Sequence, residues 1–345
     1  MSKKKLIGIL LAIVLVVGGG SAYLMRAQIR AAIDTISGVD YQGAGTGETT
    51  LVIEPGDTGE QVATKLVELG ITKDFSYTYK RIIARDQQFI PGTFTLRKQL
   101  PANTALDLIA DPASRQVVKV TIKEGLRIGT VYKELSKATG IAVSDFESAG
   151  KDPADYGLPS AFPTLEGYLF PATYEFEPGS SAKAVLQVMV DRMDKELEKF
   201  GVTDGDRHRV LTLASIVQKE ARITEDFYKV SRVFLNRLEI GMHLQSDATV
   251  SYGSGGTTVT TTDAERADQN GYNTYVHAGL PVGPIGAPGS VAIDAALHPA
   301  DGTWIYFCAV NLKTGETVFS TTYAQHAKAV KQWQQWMRDN PGWNG

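Results

Sequence analysis

The stretch from residue 304 to 320 contains Trp304-Ile305-Tyr306-Phe307-Cys308-Ala309-Val310, then Lys313-Thr314-Gly315, then Thr317-Val318-Phe319-Ser320. The first run is rich in aromatic and β-branched residues and reads as a buried strand. The Lys-Thr-Gly step reads as a turn and the last run as the returning strand. Helical signals lie on both sides of this pair. Ser181 to Phe200, Asp206 to about Arg222, and Glu225 to Ile240 carry apolar residues at helical spacing, the third closed by Gly241. Val291 to Leu297 and Tyr323 to Arg338 read as two more helices. Antiparallel strands mixed with helices, without long βαβ alternation, give an α+β fold class.

Upstream, Leu51-Val52-Ile53, the turn Pro55-Gly56-Asp57 and the helical run Gln61 to Leu69 form a strand–turn–helix unit. A second such unit runs from Val118 through Glu124-Gly125 to Ala138. Ile53, Gly56, Val62 and Leu66 match Ile122, Gly125, Val131 and Leu135 at a constant offset. Between them, Phe89 to Leu96 reads as turn plus strand and Ala105 to Ala110 as a short helix. Gly38 to Thr50 is Gly-rich and reads as a spacer. Gly150 to Pro163 has linker composition, with Pro153, Gly157, Pro159 and Pro163. Residues 253–262 are low in complexity, and Tyr272 to Gly289 reads as loop.

At the N-terminus, Lys3, Lys4 and Lys5 precede an apolar run from Leu6 to about Met25. Roughly 20 apolar residues are enough to cross a bilayer as a helix. The lysines place the N-terminus in the cytoplasm by the positive-inside rule and the rest of the chain outside. A cleaved signal peptide is the competing reading, but the apolar run is long for one and lacks a clean cleavage site. The expected organisation is residues 1–26 as cytoplasmic tip and transmembrane helix, 27–50 as juxtamembrane segment and linker, 51–160 as a small α/β region, and 161–338 as a larger mixed α+β catalytic domain. The chain of 345 residues has a formal net charge of -3, which carries no nucleic-acid signature. Its single cysteine, Cys308, excludes an intramolecular disulfide and reads as a structural thiol. The scattered histidines show no metal-ligand spacing, so neither a metal nor a cofactor is expected.

Chemistry concentrates in Leu211 to Ala221. On a helix, Leu213, Ile216, Val217 and Glu220 share one face, so an acid follows three apolar residues on a buried stripe. Burial raises a carboxyl pKa, as a general acid requires. The bland alternative is that Glu220 marks the polar end of a helix. Glu166, set among Tyr168, Phe170 and Pro171, fits either a sugar-binding cleft wall or a structural turn. Glycosidases commonly pair two carboxyl groups, which leaves a Glu166/Glu220 pair open. Asp247 is a third acid, with helix capping as its alternative role. No nucleophile elbow, Walker loop or zinc-protease signature is present.

The segments Leu165 to Phe176, Leu213 to Ala221, Val233 to Gly253, Tyr272 to Ser290 and the ending from His298 to His326 together resemble the endolytic murein transglycosylase (MltG/YceG-like) family. The resemblance spans about residues 50 to 335 in order and spacing, with the anchor in addition. It implies that Glu220, ending Ala214-Ser215-Ile216-Val217-Gln218-Lys219-Glu220, is the catalytic acid/base. Gln218 stands where relatives often carry a second Glu. It also implies a LysM-like N-terminal region, cleavage between N-acetylmuramic acid and N-acetylglucosamine, and 1,6-anhydro ends. Glu166, Gln245, Ser246, Asp247, Tyr272, Asn273 and Tyr275 become candidates for substrate binding. The implied partners are peptidoglycan glycan strands, the plasma membrane through the anchor, and peptidoglycan synthases, with no nucleic acid. Val282 and Ala248 replace prolines common in the family, which touches loop shape rather than the acid. The alternatives are a non-catalytic glycan-binding scaffold and a two-carboxylate hydrolase using Glu166 and Glu220.

Overall fold

The computed structural model describes residues 39–159, 162–256 and 261–342. The expected transmembrane helix lies outside the described residues, and among those described no helix is long and apolar enough to cross a membrane. The chain is of mixed α+β class and divides into two compact units that meet between Val117 and Val118.

The first unit has an antiparallel sheet of β1 (Thr46–Ile53), β2 (Gly92–Lys98) and β3 (Arg115–Gln116), in that order. Its helices are α1 (Gly59–Glu68), α2 (Phe75–Ala84) and α3 (Ala102–Ala110). Alternation along β1 buries Leu51 and Ile53 and exposes Thr50 and Val52. Phe94 and Leu96 of β2, Val62 and Leu66 of α1, and Leu106 and Ile109 of α3 complete the core. A capping box between Thr58 and Gln61 starts α1. β1 begins inside the stretch that composition reads as a spacer, with a bulge between Thr46 and Glu48. Helix α2 has no counterpart among the sequence expectations. Asp74 starts it by accepting the Tyr77 N–H, and it buries only Thr78 and Ile82.

In the second unit β4 (Val118–Thr121) pairs antiparallel with β5 (Thr173–Phe176), and α4 (Ile128–Thr139) and α5 (Val143–Ala149) follow β4. Then come α6 (Ala182–Lys199), α7 (Asp204–Glu220), α8 (Thr224–Glu239), α9 (Asp247–Gly253), α10 (Asp263–Ala267) and α11 (Ser290–Leu297). The antiparallel hairpin β6 (Tyr306–Asn311) and β7 (Glu316–Ser320) precedes α12 (Tyr323–Asp339). Every residue from Val210 to Val217 is buried, so α7 is the central helix of this unit. Small residues on α11, Ala292, Ala295 and Ala296, permit close packing against it.

The unit boundary differs from the expected one near residue 160. Val120, Ile122, Val131, Tyr132 and Leu135 belong to the same core as α6 and α7. The described residues of the stretch 150–163 form no linker either. Pro153 opens a short 3-10 turn, the Tyr156 hydroxyl donates to the Ala149 carbonyl at 2.9 Å, and Phe162 packs edge-on to Tyr168 at 5.0 Å. The two strand–turn–helix copies therefore sit in different units. Their local geometry does repeat: the matched apolar residues are buried in both, and Gly56 and Gly125 turn at φ 91° and 73°.

Candidate functional site

Glu220 is the last residue of α7, which stops because Ala221 is extended at φ -81° and ψ 143°. The stripe of Leu213, Ile216 and Val217 lies in the core, and one turn later the same face emerges at Glu220, half-buried. Burial is the main force pushing its carboxyl pKa up, and the Asp247 carboxylate acts in the same direction. The hydrogen bond from Ser246, Arg237 and the Ala248 N–H oppose it. The negative end of the α7 dipole adds to the upward push. The Ser246 hydroxyl donates to Glu220 Oε1 at 2.5 Å. The Ala248 N–H also reaches this carboxylate, a donor that a proline at this position would lack.

The turn between α8 and α9 delivers these groups. Gln245 adopts φ 48°, which costs a non-glycine residue about 1–2 kcal/mol. Its N–H donates to the Thr274 carbonyl at 3.0 Å, and the Ser246 N–H donates to the Thr274 hydroxyl at 3.1 Å. Arg237, 7% exposed, grips the turn from below, with Nη1 on the Leu244 carbonyl and Nε on the Ile305 carbonyl, each at 2.7 Å. Other side chains of α8 take the backbone of the strap leading into the hairpin. Arg232 donates to Ala300 O, and Asn236 to Gly302 O and Trp304 O. The Asp247 carboxylate accepts from the hydroxyls of Thr261 and Tyr275 and from Arg266.

Two hollows meet at Glu220, Asp247 and Phe307. One, of about 410 Å³, is walled by Arg127, Lys219, Arg222, Ser251 and the hairpin residues Cys308 and Thr317. The other, of about 390 Å³, is aromatic, with Phe234, Tyr275, Tyr306, Tyr323 and His326, and also contains Arg237 and Gln245. The His326 ring stacks on Tyr306 at 5.0 Å, and Tyr323 stands 70% exposed beside them.

Of the sequence candidates, Glu220, Gln245, Ser246, Asp247 and Tyr275 line these hollows. Glu166, Tyr272 and Asn273 do not. Glu166 is buried at 3% exposure, where both oxygens accept the Ile128 N–H at 3.1 Å and Oε2 accepts the Tyr252 hydroxyl at 3.0 Å. It thus fastens the start of α4, and burial pushes its pKa up to about 6. The aromatic residues around it, Tyr168 and Phe170, are core rather than cleft wall. Tyr272 packs on Tyr252 at 4.6 Å. Asn273 is fully buried and ties its loop by donating to the carbonyls of Glu265, Arg266 and Asp268.

Asp247 lies in the first turn of α9, with Ser246 at the cap position. Cys308 is half-buried rather than buried and faces the first hollow. Ser215 is spent on packing: its hydroxyl donates to the Thr212 carbonyl and accepts the Ile285 N–H. Gln218 accepts the Gly289 N–H at 3.0 Å. Arg127, Arg237 and the aromatic wall were missed in the sequence. Arg237 did leave a signal, a charge on the buried α8 stripe of Val230, Val233 and Phe234. The wall left none, because it joins a strand and a helix that only the fold brings together. Among the described residues, no group of three or more His, Cys, Asp or Glu side chains is arranged to hold a metal ion.

The YceG-like family model matches residues 51–332. The endolytic murein transglycosylase of Bacillus subtilis (strain 168) is 30% identical over 265 residues, covering 71% of this chain and 73% of its own. That of Streptococcus pneumoniae serotype 2 (strain D39) is 26% identical over 321 residues, which is 82% of this chain and 58% of the streptococcal protein. This chain thus spans under two thirds of that relative. The crystal structure of a yceG-like protein from Listeria monocytogenes is 27% identical with a TM-score of 0.55, over 81% of this chain and 98% of the other. With four fifths of its sequence matched in this way, the chain belongs to the YceG-like family.

Proposed function

We propose that this chain is a peptidoglycan lytic transglycosylase that cuts within glycan strands, with Glu220 as its general acid and then its base. The observation that carries the reading is the position of Glu220. It is an acid with an upward-shifted pKa at the junction of an aromatic and a cationic hollow, so sugar can lie on both sides of it. The aromatic side suits sugar rings, which stack on such faces. The relatives' names supply the substrate class.

In the proposed reaction, protonated Glu220 gives its proton to the oxygen linking muramic acid C1 to N-acetylglucosamine C4, and that C1–O bond breaks. Positive charge develops at C1 and the ring oxygen, where the Asp247 carboxylate supplies favourable potential. Glu220, now an anion, takes the proton of the muramic acid 6-hydroxyl, whose oxygen closes on C1. The products are a 1,6-anhydro end and a free 4-hydroxyl, and no water is consumed. With Glu166 buried under α4, one carboxyl group alternating between roles removes the need for a second.

The same reading places the enzyme on the outer face of the plasma membrane, held by a single N-terminal helix with a cytoplasmic tip. The LysM-like strand–turn–helix units would add glycan contacts, and peptidoglycan synthases would be neighbours. The test is digestion of purified strands followed by mass spectrometry of the new ends. Anhydro ends are expected. Reducing ends would mean hydrolysis, and binding without cleavage would mean a scaffold. Glu220→Gln is expected to lower turnover by at least about 100-fold, the scale of a positioned acid/base. Undiminished cleavage by that variant would remove Glu220 from the mechanism.

A further inference from the structure

The first hollow has chemistry that the proton transfer does not use. Arg127, Lys219 and Arg222 all border it. Their hydrogen-bond and ring partners are neutral. Arg127 lies over the Tyr252 ring at 5.1 Å and donates to the Ser251 hydroxyl at 3.3 Å. Arg222 donates to the Leu312 carbonyl at 3.2 Å. Lys219 lies beside the Gly125 turn, where a Cβ would come within 3.8 Å of its ammonium. Burial and the neighbouring Arg127 charge push the Lys219 pKa down, as two crowded cations should. The acids of the same wall do not balance them. Glu220 starts the reaction protonated, and Asp247 is held by Arg266, Thr261 and Tyr275. In the other hollow, Arg237 is committed to two backbone carbonyls. Glu166, buried behind this wall, acts electrostatically on Arg127 and Lys219, but its oxygens are spent on the Ile128 N–H and the Tyr252 hydroxyl. One side of the acid is thus aromatic and the other carries an excess of positive charge.

We propose that the hollow bounded by Arg127, Lys219 and Arg222 is a subsite for a carboxylate borne on the lactyl arm of a muramic acid residue. The proposal rests on the peptidoglycan reading above. That arm ends in its own carboxylate on stripped strands. On peptide-bearing strands it becomes an amide, and the stem peptide supplies carboxylates further out. Both sources present the same planar anion, which an arginine fork matches. At about 410 Å³ the hollow has room for the arm as well as its charge.

The test measures binding, not turnover, using the full chain carrying Glu220→Gln. Three strand preparations serve as probes: uncrosslinked peptide-bearing strands, amidase-stripped strands, and stripped strands whose lactyl carboxylates have been converted to methylamides. The neutral strands are expected to bind about tenfold more weakly than at least one charged preparation, with the gap shrinking as salt rises. The tighter charged preparation identifies the source of the carboxylate. Adding Arg127→Gln and Arg222→Gln is expected to close the gap, and Arg127→Lys with Arg222→Lys to retain most of it. Equal affinity for all three preparations overturns the subsite, as does a Lys pair that loses as much as the Gln pair. Affinity without discrimination sinks only the subsite, whereas no affinity for any strand sinks the peptidoglycan reading with it.

Discussion

The hydrogen bond from Ser246 tunes the acidity of Glu220. Its hydroxyl donates to Oε1 of the carboxylate. A donor to the carboxylate stabilises the anion and lowers the pKa. Ser246→Ala should therefore raise the Glu220 pKa and move the basic limb of the pH–rate profile to higher pH. A profile measured against the parent that keeps its limb, or moves it down, would contradict this pairing. Ala248 works in the same direction as Ser246 through its backbone. At this scale the sequence was informative about the acid and poor about its surroundings. Helical periodicity put Glu220 on the face of Leu213, Ile216 and Val217, as observed. Nothing local tied Ser246 to it, since the two meet only through the turn that Arg237 and Thr274 hold.

Helix α4 illustrates how an element takes its place through one buried charge. It has no side-chain cap of its own, and Glu166 accepts the Ile128 N–H instead. The folded pKa of Glu166, about 6, lies above the 4.5 of a solvent-exposed glutamate. Between those values the unfolded chain has lost the proton while the folded chain keeps it, so this group makes stability fall as pH rises through the window. The loss amounts to about 2 kcal/mol once pH exceeds 6. Glu166→Gln should remove that component, which urea unfolding of both proteins from pH 4 to 8 would reveal as a flatter dependence for the variant. Equal slopes would show that Glu166 is not the group. Elements with strong periodicity, such as α6, α7, α8 and α12, were legible within a few residues. Helix α2 and strand β5 were not: one is short and half-polar, and the other owes its identity to pairing with β4, a stretch far away in the chain.

For the whole molecule, the unit boundary matters more than composition suggests. Cutting at residue 160 would leave β5 without its partner. It would also remove Val120, Ile122, Val131, Tyr132 and Leu135 from their core. Each buried aliphatic side chain among them contributes about 1.5–3 kcal/mol, so a fragment from residue 161 should not fold. A fragment from Val118 retains all five and should unfold in one cooperative transition. Circular dichroism melts of the two fragments decide the matter, and a folded 161 fragment would refute the boundary. Composition misled here because Pro153 and Gly157 mark both linkers and tight turns. In this chain they shape a 3-10 turn whose Tyr156 is buried.

The strap from Ala300 to Ile305 is gripped by Arg232, Asn236 and Arg237 through its carbonyl oxygens alone. A carbonyl is present whatever side chain the residue bears. Substitution of Ala300 or Ile305 can therefore leave the hold of α8 intact, and with it the aromatic wall that begins at Tyr306, whereas a side chain at Gly302 would run into the Trp304 ring. The scaffold separates what fastens this wall from what decorates it.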